Sequence, residues 1–501
     1  DQLMALGHRP DEPADEPFNM AVMGMRLAER RNGVSALHGE VSRDMFCDLW
    51  PGVPVAETPV GSVTNGVHGA TWTSAEMDAL FSETVGEDWQ WADDADWQRI
   101  SEVDPDALRQ AHGAAKVRLV EHVRDRLRLH GLAQGRSASE LAWVDEALDP
   151  GALTICFARR MATYKRAALL LSQPDRLKAL LANDDRPVQF VFAGKAHPAD
   201  DQGKELIRQI VTFSNDPSVR RRFVFVEDYD MALARSLVQG ADVWLNTPVR
   251  PMEASGTSGM KAVMNGGLHC SVLDGWWAEC FDAGRPNGWA ISSAEAVSDE
   301  SRRAEIEANS LFELLETQVI PLHSTDRWAD TMIHSLRSLG PFVSAHRMVR
   351  DYVADLYLPA ATHAVELSAD GHAGARELAT FRARLDDLWH QVHVDRVEAD
   401  ESVADLGTRR QISAVVSLGE LHPDEVEVQL VYGHVGQSGE LESAAASPMT
   451  DAGQIDDLHH RYCGDAPLDV AGRMGVTVRV VPRHRLVSAP TEFGLVAWAE
   501  D

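Results

Sequence analysis

Glu253-Ala254-Ser255-Gly256-Thr257-Ser258-Gly259-Met260-Lys261, nine residues in a chain of 501, organises the reading of the rest. The segment follows the apolar run Ala241 to Leu245 (ADVWL), which reads as a buried strand ending at Asn246-Thr247-Pro248. Gly256 and Gly259 open backbone conformations closed to other residues. The hydroxyls of Ser255, Thr257 and Ser258 lie around them, and a helix is expected to open near Met260. A strand, a glycine loop and a helix in that order leave free N–H groups at the helix start, a seat for an anion. Lys261 falls just inside the helix. The chain holds 6 lysines against 41 arginines, so lysine stands where arginine cannot substitute. An amine can lose its proton and form a Schiff base with a carbonyl; a guanidinium cannot. An anion seat beside such an amine points to a phosphate-bearing aldehyde, pyridoxal 5′-phosphate.

Outward from that segment, short apolar runs alternate with helical stretches: LTICFA (Leu153 to Ala158), VQFVFAG (Val188 to Gly194), RFVFVE (Arg222 to Glu227), ADVWLN (Ala241 to Asn246) and LHCSVL (Leu268 to Leu273). This rhythm predicts a parallel sheet covered by helices, an α/β fold. The polar residues of interest follow directly after these runs, and ligands of open α/β sheets bind outside the carboxyl ends of the strands. One such run is followed by Arg159, Arg160, Lys165 and Arg166, four cations within eight residues. Residues 1–145 read as mainly helical, with amphipathic spacing in Phe18 to Arg31 and a long charged helix over Asp106 to His130. Pro51, Pro54, Pro59 and the Gly61 to Gly66 region mark a loop carrying Thr64-Asn65-Gly66. Residues 346–397 return to helix, and from 398 to 501 apolar and polar residues alternate between turns, the pattern of a small antiparallel β-sandwich. The expected divisions are therefore 1–145, 146–345, 346–397 and 398–501.

A net charge of −30 argues against nucleic acid or an anionic membrane surface as partner, and it requires a local cationic cluster wherever phosphate is held. Five cysteines without CxxC spacing read as reduced thiols in a cytoplasmic setting. No apolar run has spanning length, and no metal site is expected.

EASGTSGMK, continued by AVMNGGLHCSVLDGWW, resembles the cofactor segment of the α-glucan (glycogen, starch, maltodextrin) phosphorylases. Five further stretches fit that family in order: NGVSALHGEVSRDMF from Asn32, TNGVH from Thr64, RRMATYKR from Arg159, FAGKAHPAD from Phe192 and VEDYDMALA from Val226. The SGTSGMK and DGWW wording is similar to the shorter, bacterial-type branch. The match begins well inside the family's pattern, so the resemblance implies a C-terminal portion of a longer protein.

The resemblance implies a two-lobed GT-B-type glycosyltransferase architecture with an incomplete N-terminal lobe, a Rossmann-like C-terminal lobe and a small all-β domain. The helix over Ser344 to Ala360 would pack back across both lobes. It implies reversible phosphorolysis of terminal α-1,4-glucan bonds by inorganic phosphate, giving glucose 1-phosphate with retention. In that reaction the cofactor's 5′-phosphate exchanges a proton with the substrate phosphate, and Lys261 is its anchor. By the same resemblance Arg160 and Lys165 bind inorganic phosphate and Arg159, where the family often has lysine, lies near the cofactor phosphate. Thr257 and Ser258 would donate to the cofactor phosphate and Tyr229 would lie against its ring. Asn65, Glu253, Ser255 and Gly256 would contact the sugar. Lys195 and His197 are expected near the site without an assigned role. Tyr164 reads equally as structural or site-lining, His38 as packing, and Trp276 and Trp277 as core rather than a sugar platform. Members of the family are often dimeric, though no interface signature stands in the sequence.

Three rival readings can be set against the same residues, and the second is discarded. A nucleotide-sugar glucan synthase-type glycosyltransferase tends to carry a second glutamate eight residues after the first, where this chain has Lys261. A P-loop or dinucleotide-binding protein needs glycine spacings that are absent here. An inactive glucan-binding fragment would have no need of the lysine and the cationic cluster together.

Overall fold

In the computed structural model, described for residues 2–500 apart from 11, 14, 401, 437, 438 and 440, six parallel strands form one sheet. They are β1 (Leu153–Arg160), β2 (Val188–Lys195), β3 (Phe223–Val226), β4 (Val243–Asn246), β5 (Leu268–Val272) and β6 (Gly288–Ile291), in the order β3-β2-β1-β4-β5-β6. Five are the expected runs; β6 is new, because four residues reading GWAI carry no periodicity that marks a strand. Strands β1 to β5 are buried almost throughout, as parallel strands covered on both faces must be. Strand order reverses between β1 and β4, and that reversal opens a crevice at their carboxyl ends.

The helix Pro105–Ala133 starts at Asp104, whose side chain accepts from the Asp106 N–H, with Pro105 at the first position. Its apolar face, including Leu108, Leu119, Val120 and Val123, is fully buried, and the helix packs against the helices Met231–Gly240, Ala75–Thr84 and Arg327–Leu339. Burial of each such side chain contributes about 1.5–3 kcal/mol. A polar tie accompanies that packing: the buried Asp242 carboxylate, just before β4, accepts from Lys116 Nζ at 2.7 Å and the Thr154 N–H at 2.7 Å, and meets His112 Nε2 at 3.0 Å. The long helix is thereby tied into the core of the sheet. Residues 33–39 and 62–352 form one compact unit, and residues 1–32, 40–61 and 353–501 form a second.

The second unit contains eight antiparallel strands: β7 (His393–Ala399), β8 (Arg409–Ser417), β9 (Val426–Val435), β10 (Leu441–Pro448), β11 (Thr450–Gln454), β12 (His459–Pro467), β13 (Met474–Pro482) and β14 (Ala497–Trp498). They pair as two four-stranded sheets, β11-β12-β8-β7 and β10-β9-β13-β14. Alternate residues Ile412, Ala414 and Val416 of β8 meet Val426, Val428 and Leu430 of β9 and Val478 and Val480 of β13 in one core. Phe381 and Leu385, from the helix Leu358–Leu388, complete it. Among the described residues no helix is long and apolar enough to cross a membrane.

Candidate functional site

Alternate side chains of a strand point to opposite faces, and β1 ends on two arginines. Arg159 Nη2 donates to Glu253 Oε2 at 2.7 Å, and its Nη1 donates to Asn246 Oδ1 at the end of β4. The next residue, Arg160, is exposed, and its side chain has no ion pair or hydrogen bond among the described residues. Lys165 lies in the single turn Thr163–Lys165 that follows β1. Its Nζ donates to Glu253 Oε1 at 3.0 Å and Oε2 at 2.9 Å, and sits 4.7 Å from the centre of the Tyr164 ring. Arg166 adopts a left-handed φ of 45° and turns elsewhere: it donates to the carbonyls of Thr247 (3.0 Å) and Pro248 (2.7 Å) and pairs with the buried Glu307. Thr247 Oγ1 in turn donates to the Lys165 carbonyl at 3.1 Å. Two of the four cations after β1 therefore converge on one carboxylate, while pleating and the Glu307 pairing take away the other two.

The loop carrying Glu253 is fixed from the end of β5. The Glu253 N–H donates to Asp274 Oδ2 at 3.0 Å and the Gly275 N–H to Asp274 Oδ1 at 2.8 Å. The Trp276 N–H donates to the Ser255 carbonyl at 3.0 Å. Gly275 has a φ of 54°, and a Cβ there would stand 2.3 Å from the Ser255 carbonyl oxygen, so only glycine fits. Burial pushes the Asp274 carboxyl up to about 6. Ser255 Oγ is buried without a hydrogen-bond partner, as is Arg159 Nε.

Gly256, at φ 85°, precedes the helix Thr257–Val263 and supplies no side-chain cap. Thr257 is half-buried, and Ser258 Oγ accepts from Trp244 Nε1 at 3.1 Å. Lys261 Nζ lies 3.6 Å from the centre of the Trp72 ring and makes no hydrogen bond or ion pair among the described residues. Burial lowers its pKa, which enlarges the fraction of free amine. Tyr229 packs half-buried against the core; burial raises its pKa, with the neighbouring Arg159 charge acting the other way. Asn65 uses its main chain only: its N–H donates to the Val34 carbonyl at 3.1 Å and its carbonyl accepts from Arg347 Nη2 at 3.1 Å.

Other expectations resolve simply. Lys195, the last residue of β2, and His197 beyond it are exposed, the latter's Nδ1 accepting from the Ala199 N–H at 3.1 Å. His38 Nδ1 accepts from the Val34 N–H at 3.1 Å, a local packing role. Trp276 and Trp277 are core, with Trp276 stacked on the buried His269 ring at 5.2 Å. Sequence reasoning missed Asn246, Asp274, Glu307 and Trp72. Asn246 and Asp274 follow strands directly and were open to the same argument that singled out Arg159. Glu307 lies in a charged helix and Trp72 stands far along the chain from Lys261, so neither carried a local signal.

The family signature described as carbohydrate phosphorylase matches residues 9–310, more than half of the chain, and the one described as glycogen phosphorylase C-terminal domain matches residues 389–500. A glycogen phosphorylase of Mycobacterium tuberculosis is 45% identical over 508 residues, covering 100% of this chain and 58% of that protein. A maltodextrin phosphorylase of Thermococcus litoralis is 35% identical, covering 99% of this chain and 58% of its own length. A glycogen phosphorylase of Aquifex aeolicus is 40% identical over 71% of this chain and 51% of its own length. The chain thus spans a little over half the length of these relatives. With the signature running from before the sheet to beyond β6, the chain belongs to the carbohydrate phosphorylase family.

Proposed function

We propose that this chain carries the cofactor- and phosphate-binding part of an α-1,4-glucan phosphorylase that releases glucose 1-phosphate reversibly, with retention. The observation that carries the reading is Lys261: one of 6 lysines, with its amine on the Trp72 face, without a hydrogen-bonding partner among the described residues and lowered in pKa by burial. Family membership and relatives named glycogen and maltodextrin phosphorylase support it. A synthase-type glycosyltransferase has no use for an amine at this position.

Pyridoxal 5′-phosphate fits the residues present. Lys261 would anchor it, Thr257 and Ser258 would take its phosphate with Arg159 alongside, and Tyr229 would lie against its ring. The unpartnered Arg159 Nε and Ser255 Oγ are polar atoms that a ligand would satisfy. Bound there, the group supplies a second phosphate able to exchange a proton with the substrate. Lys165, joined by Arg160 on movement of its exposed side chain, would hold inorganic phosphate. A unit charge pair about 4 Å apart at intermediate dielectric attracts by roughly 4 kcal/mol, enough for two cations to hold a dianion in an acidic protein. Oriented in this way, the substrate phosphate protonates the departing glycosidic oxygen and then attacks the sugar. Glu253, Ser255 and Gly256 would hold that sugar, with Asn65 reaching it from the other lobe of a GT-B-type architecture. The five cysteines, all free, fit a cytoplasmic enzyme, and a homodimer is the expected assembly.

The test is absorbance of the purified chain incubated with pyridoxal 5′-phosphate, before and after borohydride, followed by peptide mapping. A pyridoxyl adduct on Lys261 is expected; a colourless protein without an adduct refutes the assignment.

A further inference from the structure

The Glu253 carboxylate receives three donations, one from Arg159 Nη2 at 2.7 Å and two from Lys165 Nζ at 3.0 and 2.9 Å. The three side chains are nearly buried, at 10%, 9% and 7% exposure for Arg159, Lys165 and Glu253. Neighbouring polar groups are engaged elsewhere: Arg166 by Glu307 and two carbonyls, and Asn246 Nδ2 by Ser271 Oγ at 3.1 Å. Lys165 has no anionic partner besides Glu253 among the described residues, so any anion binding to this lysine must compete with that carboxylate.

We propose that Glu253 is the resident counter-ion of the phosphate seat and couples the filling of that seat to sugar binding. The inference rests on the phosphate-site reading above. Without phosphate, the carboxylate compensates two buried cations that would otherwise repel each other. An entering phosphate takes over the ammonium of Lys165 and an edge of Arg159. The displaced carboxylate cannot stay beside a dianion, so its side chain swings while its backbone remains tied to Asp274. A carboxylate offers only acceptors, so its new partners must be donors, and a sugar provides them as hydroxyls. Glucan would thereby stabilise the displaced arrangement and phosphate would prepare it. Each ligand then strengthens binding of the other by the same factor. The unpartnered Ser255 Oγ, two residues on, is a second group that a sugar hydroxyl would satisfy.

The experiment measures inorganic phosphate binding to the cofactor-loaded chain, without sugar, from the phosphate dependence of Tm. Glu253→Gln, which keeps the shape and removes the charge, is expected to bind phosphate at least about fivefold tighter than the parent. Unchanged or weaker binding overturns the counter-ion role. Should Glu253→Gln not fold, Glu253→Asp, whose shorter reach loosens the pairing, is judged by the same two outcomes. Lys165→Ala separates the two levels of the argument. If it leaves phosphate affinity unaltered, the phosphate site itself is misplaced. If it weakens binding while neither Glu253 variant tightens it, the phosphate site stands and the counter-ion role, with the coupling built on it, falls.

Discussion

At the scale of single residues, Lys261 and Lys165 use the same amine for different ends. Lys261 rests on an aromatic face, where a cation is stabilised without any anion being brought near it. Lys165 is fully ion-paired. Burial without a counter-ion favours the neutral amine, so the amine proposed as cofactor anchor and the one proposed to hold phosphate differ by environment and not by residue type. Lys261→Arg tests this distinction. The guanidinium would keep a cation over Trp72, so the variant should fold with a Tm near that of the parent. It should nevertheless yield no borohydride-fixed adduct, as read by absorbance and peptide mass. An adduct retained in Lys261→Arg would mean that another amine is the anchor.

At the scale of elements, the site is a meeting of three strand ends, and the clamps that hold those ends lie outside the site. Glu307, on the helix Glu300–Leu314, is fully buried and takes both Arg166 and Arg303, the latter at 2.9 Å. Arg166 in turn grips the Thr247 and Pro248 carbonyls, so this helix sets where the turn bearing Lys165 sits against the loop after β4. Breaking a buried pair by removing one partner leaves an uncompensated charge and costs about 3–5 kcal/mol. Glu307→Gln should therefore lower unfolding stability by about 3–5 kcal/mol in urea titration. A change below about 0.5 kcal/mol, the range of ordinary surface substitutions, would show the clamp to be dispensable.

At the scale of the whole molecule, stability should fall in mild acid, and His269 gives one cause. It is fully buried behind the site, and desolvation, helped by the Arg159 charge, lowers its pKa to about 3. An unfolded imidazole titrates near 6.5. Between those values the unfolded chain binds a proton that the folded chain refuses, so stability is intact above about 6.5 and declines as pH falls toward 3. At pH 5 the loss from this residue is roughly 2 kcal/mol. Asp274 acts in the opposite sense: its carboxyl, raised to about 6, binds a proton more readily when folded, so it adds stability as pH falls from 6 toward 4. Urea unfolding at pH 7.5 and pH 5 separates the two. His269→Phe should lose about 2 kcal/mol less than the parent over that interval, and an equal loss in both would contradict the assignment.

The sequence by itself determined the sheet and the position of its chemistry. Short apolar runs that alternate with helical stretches read as strands buried on both faces, and the residues after them fall at the crevice edge, which is why Arg159, Lys165, Glu253 and Lys261 were legible as candidates. Tertiary structure alone decided which of the adjacent cations acts with which anion. Arg159 and Arg160 are equivalent in composition, and only the pleat of β1 separates the one that meets Glu253 from the one left exposed. Glu307 and Trp72 reach the site across long stretches of chain, and burial rather than any local pattern gives them their places. A long helix that reads as charged likewise hides a narrow apolar face and a lysine–aspartate tie, which join it to the sheet and which no local pattern marks.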